Sequence, residues 1–317
     1  KKLSASLTPG RNIFGLDLDY TWQPDDLDGR MSIFASHVET EDPNFRSGLK
    51  SPSVGGAGKQ PWLYRNSAGV GYTTEWSENF DLSTSLFYQS TSIHDTRFGA
   101  EVSPFDSAGG ALTGSGTSSD QTVRLRLSGL YQDLDNEEDP ADGTRLRFLA
   151  EQAIGLNSSN LSATRFGFNF TQMAKLSESG PTLLFNGQMG TQIGAVPAYE
   201  AYTLGGNNSV RGYRLGELGS GRSFALATLE LRQPLGSLTL FNTEIPFRLT
   251  GFVDYGSLLG SQDQVLGTPG LVREKPGGGF GYGPGLHAIT PLGLMRLELG
   301  FAANHEASLF FSWGDRF

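Results

Sequence analysis

The chain has no cysteine among its 317 residues, which excludes a disulfide frame and a thiolate metal site. It also lacks any run of about 18 uncharged apolar residues, the length that a membrane-spanning helix needs. No charged n-region followed by an apolar h-region opens it. The first residues, "KKLSASLTPG", already read as structure, so an upstream part is expected to have been removed. Basic surplus is missing too. A net charge of −9 excludes the positive footprint of a nucleic-acid-binding domain. His37, His94, His287 and His305 stand singly, without ligand spacing, so no metal or other cofactor is expected. There is no G-x-S-x-G elbow and no Ser-His-Asp grouping arguable from spacing, so the chain does not read as an enzyme. The acidic run "DLDNEEDPADG" lacks the EF-hand pattern and reads as a solvated turn.

Glycine, by contrast, is abundant at 43 residues, beside 21 phenylalanines and 10 tyrosines. Glycine at that level breaks helices, and aromatics on such a frame point to an all-β protein. Alternation makes the case. In "NIFGLDLDYTW" one parity gives Phe14, Leu16, Leu18, Tyr20 and Trp22, and the other Ile13, Gly15, Asp17, Asp19 and Thr21. "VRLRLSGLY" sets Val123, Leu125, Leu127 and Tyr131 against Arg124, Arg126 and Ser128. "FRLTGFVDYG" sets Phe247, Leu249, Val253 and Tyr255 against Arg248, Thr250, Phe252 and Asp254. Period two describes a half-buried strand but does not separate a soluble sandwich from a membrane barrel. Length and aromatic placement favour the barrel. Many segments run about 9–11 residues, enough for a tilted strand to cross a bilayer. Several apolar stripes end in Tyr or Trp, where interfacial girdles lie.

Short turns such as "QPDDLDG", "SEN" and "SESGP" alternate with long Gly/Ser-rich loops at about 39–67, 91–120 and 195–223. That alternation is expected between the two sides of an outer-membrane barrel. About fourteen strands are visible: 2–8, 12–22, 30–38, 68–76, 80–90, 121–132, 144–154, 162–176, 182–194, 224–235, 246–256, 279–289, 293–303 and 305–317. The last carries Leu309, Phe311, Trp313 and Phe317 on one parity, and resembles the assembly signal of bacterial outer-membrane proteins. "GGGFGYGPG" lacks the Lys-Ser/Thr of a phosphate loop and has no following helix, so its glycines mark a bend or a close contact.

Within the loop "LGGNNSVRGYRLGELGSGRS" stands "SVRGY", and "FVDYG" follows at Phe252–Gly256. With "DPADGTRLRF" upstream and "GYGPGLHAITPLGLMRLELGF" and "FFSWGDRF" downstream, these strings resemble the BamA/TamA/FhaC superfamily. They look most like its cyanobacterial branch and plastid relative, the Toc import channel. The match is strong from about residue 201 onward and collinear before that.

The resemblance implies an all-β, transmembrane antiparallel barrel of sixteen strands, with a long loop folded into the lumen. Nine strands precede the loop here and five follow it. Residues 1–317 are therefore expected to be the C-terminal barrel domain without its first hairpin or the upstream POTRA domains, the alternative being two strands merged within the long loops. It also implies a protein-insertion factor or protein-translocating pore of a cyanobacterial outer membrane, or alternatively of a plastid outer envelope. Its partners would be unfolded outer-membrane or imported precursor proteins, the lipid bilayer and accessory assembly subunits.

In that family the loop arginine meets the aspartate of F-x-D-x-G. Val210, Arg211, Gly212 and Tyr213 are then the lumen-loop motif, and Asp254, Phe252, Gly256, Glu230 and Glu298 its wall partners. Arginine's rigid fork suits a carboxylate. A wet lumen would hold the pair's worth near 1 kcal/mol. Leu309, Phe311, Trp313 and Phe317 would lie on one side of a lateral seam between first and last strands. The rival is a passive porin-like channel, which leaves Arg211 and Asp254 without a task.

Overall fold

Where the sequence alternates, the backbone forms a meander of antiparallel strands, each hydrogen-bonded to the next. The structure is a computed structural model and describes every residue except 46–47, 49–52, 55–60, 138, 157–160, 241–242 and 304–306. His305 lies outside the described residues.

The first nine strands are β1 (Lys2–Pro9), β2 (Ile13–Trp22), β3 (Arg30–Glu41), β4 (Trp62–Ser77), β5 (Phe80–His94), β6 (Ser119–Leu134), β7 (Gly143–Gly155), β8 (Ser162–Lys175) and β9 (Thr182–Gly194). The loop after β9 contains a two-stranded ribbon of its own, β10 (Tyr202–Leu204) and β11 (Gly219–Gly221). There follow β12 (Ser223–Leu240), β13 (Thr243–Ser257), β14 (Gly278–Thr290), β15 (Gly293–Ala302) and β16 (Ala307–Trp313). Fourteen of these build one sheet in chain order, with β12 pairing directly to β9. Among the described residues no ladder joins β1 to β16.

Burial decides between sandwich and barrel, because the polarity of this molecule is inverted. Leu86, Leu125, Phe166, Leu229, Leu249 and Val253 all point outward and are exposed. Arg124, Glu151, Arg232, Asp254 and Glu298 point inward and are buried. Soluble proteins do the reverse. An apolar outer band around a polar interior is the pattern of a transmembrane barrel, with lipid as the solvent outside. No described helix is long and apolar enough to cross a membrane.

All fourteen expected strands are present, and several run longer. β3 continues to Glu41, which pairs with Trp62, so the ladder climbs into what reads as loop. β12 and β13 continue past Pro234 to a Leu240–Thr243 pairing. A register shift between Pro234 and Gly236 allows it: proline cannot donate to the ladder, and Gly236 takes the left-handed backbone (φ 115°) that restarts it. The last strand is shorter than expected and ends at Trp313.

The long connections fold together at one end of the barrel. Phe45, Leu63, Ile93, Val102, Leu112, Ala198, Tyr199 and Val265, from loops and strand ends, make a small apolar core there. This cap brings the 195–222 loop into the lumen.

A candidate functional site where the lumen loop meets the wall

Residues 204–213 descend along the inner wall, and the wall is shaped to receive them. In β14, Gly279, Gly281, Gly283 and Gly285 occupy the inward parity, as the pairing of Gly281 with Asp254 and of Gly285 with Glu298 shows. A Cβ on Gly281 would lie 1.7 Å from the Arg211 carbonyl oxygen, and one on Gly300 2.4 Å from the Gly212 nitrogen. The "GGGFGYGPG" run is thus a close-contact seat, where loop backbone lies against strand backbone. Gly212 has φ 101°, a left-handed conformation that side chains disfavour, and a Cβ there would meet Phe301 at 2.5 Å. Gly256, the glycine of F-x-D-x-G, leaves the space that Val210 fills. Val210 and Tyr213 are buried with Leu204, Leu218, Leu226, Leu258 and Ala302.

That seat delivers Arg211 to three strands at once. Its Nε donates to Asp254 Oδ2 at 2.8 Å and its Nη2 to Asp254 Oδ1 at 3.0 Å, a two-pronged grip. The Arg211 amide donates to Asp254 Oδ2 as well, at 3.0 Å. Nη1 serves both remaining acids, Glu230 on β12 at 2.8 Å and Glu298 on β15 at 2.6 Å. The guanidinium carbon lies 3.4 Å from the centre of the Phe252 ring, so the flat cation rests on an aromatic face. Four of the guanidinium's five N–H donors, the backbone amide and the π-face are engaged.

Three carboxylates around one cation leave an excess of negative charge, which further cations offset. Arg232 Nε donates to Glu230 Oε1 at 2.9 Å and Arg296 lies 3.5 Å from Glu298. The His287 ring also borders Glu298, with Nε2 3.4 Å from Oε1. Arg316 reaches Asp254 at 3.3 Å and donates also to the Ser209 carbonyl oxygen. Thr228 Oγ1 donates to Asp254 Oδ1 at 2.8 Å. Arg232 and Arg296 stand two residues from Glu230 and Glu298 on the same parity, so alternation alone could have flagged them.

The site is dry, contrary to the expectation of a wet lumen. Side chains of Arg211, Asp254 and Glu298 are wholly buried and Glu230 is 1% exposed. Loop, wall glycines and tail exclude solvent together. Removing one partner from such a pair costs about 3–5 kcal/mol, rather than about 1.

Phe317 requires a correction. Leu309, Phe311 and Trp313 face outward from β16 and are more than half exposed, but Phe317 does not continue their stripe. Gly314, at φ 92°, turns the chain inward. Asp315 then lies 3.8 Å from Arg232, and the Phe317 ring is buried with Met173 and Leu184, beside Leu134. Arg145 Nη1 donates to the Phe317 main-chain oxygen at 2.7 Å. Opposite charges and an apolar niche draw the tail across the lumen, which strand alternation could not register. β16 touches the loop directly as well, since Ser308 Oγ donates to the Gly212 carbonyl at 3.0 Å.

Known proteins carry the same architecture. The Omp85 superfamily domain matches residues 1–317. Outer envelope protein 80 of Arabidopsis thaliana chloroplasts is 30% identical over 325 residues, covering all of this chain and 41% of that protein. The pea (Pisum sativum) chloroplast protein TOC75 is 28% identical over 364 residues, covering 99% of this chain and 43% of that one. The chain thus spans less than half the length of these relatives. In fold it resembles BamA from Haemophilus ducreyi, with a TM-score of 0.70 at 15% identity over 98% of this chain and 63% of the other. CdiB from Escherichia coli superposes with a TM-score of 0.58 at 12% identity, covering 95% and 51%. Inverted barrel, lumen loop and whole-length match agree: the chain belongs to the Omp85 superfamily.

Proposed function

We propose that this barrel inserts or translocates other proteins at an outer membrane, with its lumen loop acting as the brace that holds the wall and the last strand in a working arrangement. The observation that carries this reading is the reach of Arg211, which ties β12, β13 and β15 into one dry network. Ser308, through the Gly212 carbonyl, and Arg316, through the Ser209 carbonyl, tie the same loop to β16 and its tail. A passive solute channel has no use for a buried cation grasped by three strands. A barrel whose last strand must open and accept a client strand does, because the wall behind it has to stay fixed.

The client would pair by β-augmentation at the seam beside β16, where backbone donors and acceptors offer a template and Leu309, Phe311 and Trp313 face lipid. Clients would be unfolded outer-membrane or imported precursor proteins, delivered with accessory assembly subunits. No catalytic group is needed, since strand pairing and burial in lipid drive the process. A cyanobacterial outer membrane is the preferred setting and a plastid outer envelope the alternative.

The test is a set of charge changes in the full-length protein: Arg211→Glu, Asp254→Arg and both together, scored for client assembly and heat-modified gel mobility. Each single change should abolish assembly. The double change should restore part of it, since Glu230 and Glu298 still oppose a glutamate at 211. Wild-type assembly by Arg211→Glu would return the loop to an ordinary surface role and put the porin reading forward.

A further inference from the structure

The same loop carries a second charged contact before it reaches the wall seat. Its first turn, Ala198–Glu200, is the only part of the described loop that reaches β6 and β8 through a carboxylate. Glu200 Oε1 accepts from Arg124 Nη2 of β6 at 2.7 Å, and Oε2 from Arg165 Nη2 of β8 at 2.5 Å. Between them stands Glu151 of β7, which takes Arg124 Nη1 at 2.9 Å and Arg126 Nε at 2.7 Å. The turn's backbone is held as firmly. Arg65 donates to the Tyr199 carbonyl at 2.6 Å, Asn44 to that of Ala198 at 2.6 Å, and Gln192 to that of Glu200 at 2.7 Å. Tyr199, buried, donates through its hydroxyl to Asp120 at 2.5 Å.

Position gives this contact a meaning. Arg124, Arg165 and Gln192 all lie near the loop-side ends of their strands, so the turn lies across that mouth of the lumen. Beneath it is a lumen cavity of about 530 Å³ lined by Ser128, Arg147, Arg165, Asn169, Gln188 and Tyr202. Arg165 and Tyr202 thus belong both to the anchor region and to the cavity wall, the guanidinium lying 5.5 Å over the Tyr202 ring. Burial alone would raise the Glu200 carboxyl, but the charges of Arg124, Arg165 and Arg65 outweigh it and hold it down at about 2. The anchor is therefore charged at every physiological pH.

We propose that Glu200 is a positioning residue that closes the loop-side mouth of the lumen, by an anchor on β6 and β8 that can be released while Arg211 stays docked on β12–β15. The two contacts share no residue, and β9 stands between the two arcs of wall that receive them. Releasing the turn uncovers the cavity; releasing Arg211 loosens the wall behind the last strand. This rests on the assembly reading for its purpose, but not for its geometry.

The experiment uses the full-length protein in planar lipid bilayers and in lipid for amide hydrogen exchange. Glu200→Gln should raise single-channel conductance at least twofold, with exchange at the Arg211 amide within about twofold of wild type. The absence of cysteine from these 317 residues leaves the barrel free of competing thiols for a second variant. Glu200→Cys with Arg165→Cys should conduct more than wild type until a bismaleimide bridges the two, and then return to it. Unchanged conductance in both variants overturns the proposal. So does faster exchange at Arg211 in Glu200→Gln, because the two anchors would then be one unit. Client assembly by the wild type is scored separately, and its failure would sink the assembly reading while leaving the conductance result to judge Glu200.

Discussion

One loop meets the wall twice, with the charges reversed. At β12–β15 a single cation from the loop is gripped by three acids from rigid strands, and nothing in the group reaches solvent. At β6–β8 a single acid from the loop is held by Arg124 and Arg165, of which Arg165 is 25% exposed. The first contact is dry; the second is partly wet at Arg165. Screening and side-chain entropy weaken the second and barely touch the first. A brace and a latch would be expected to differ in this way.

The largest effects should come from the dry contact. Arg211→Ala leaves Asp254, Glu230 and Glu298 facing one another and should cost about 3–5 kcal/mol, read as a lowered denaturant midpoint of the barrel in detergent. Gly281→Ala should match it without altering any charge, because its Cβ would lie 1.7 Å from the Arg211 carbonyl. Gly251→Ala is the control: a Cβ there meets nothing within 4 Å, and the midpoint should not move. If Gly281→Ala were as mild as Gly251→Ala, the loop would not be seated on the glycine strand.

Phe317→Ala comes next, since it empties the niche of Met173 and Leu184, and large aromatic truncations in packed sites cost about 3–5 kcal/mol at most. The niche holds only Met173, Leu184 and Leu134 among the described hydrophobic residues, so the lower end is expected, again from the denaturant midpoint. Glu200→Gln should cost less, about 1–3 kcal/mol for a charged hydrogen-bond acceptor lost from a partly wet group.

Much of the dry contact was legible in the sequence, and little of the wet one was. Parity put Asp254 and Glu230 on the inward face, Glu298 stood only as a further acidic candidate, and the V-R-G-Y string supplied the partner. Glu200 had no such signal. It sits outside any alternating run, and its partners Arg124 and Arg165 are 76 and 35 residues away. Alternation states which way a side chain points, not which distant loop comes to meet it. The tail misled for a related reason. Leu309, Phe311, Trp313 and Phe317 keep one parity on paper, but Gly314 ends the strand before the count is complete.

In the loop cap pH is the lever. Burial and the charge of Arg273 push the Lys275 ammonium down to about 7, against the pull of Asp42 and Glu217, while its Nζ donates to the Asn44 carbonyl at 2.9 Å. An unfolded lysine keeps its proton to about 10.4. Between those values the unfolded chain binds a proton that the folded cap does not, so stability should rise from pH 7 to pH 10 and be flat below 7. Lys275→Met should remove that part of the slope, visible as a difference between the two proteins' thermal unfolding profiles across that range. Equal slopes would mean that Lys275 stays charged in the cap.

The most direct measurement is hydrogen exchange of the Arg211 amide in the wild-type, full-length protein in lipid. Docked as described, that N–H is bonded to Asp254, wholly buried, and should exchange no faster than the central amides of β13. Exchange at the rate of an exposed loop would mean that Arg211 is not held on the wall, and the account of the loop as a brace would fall with it.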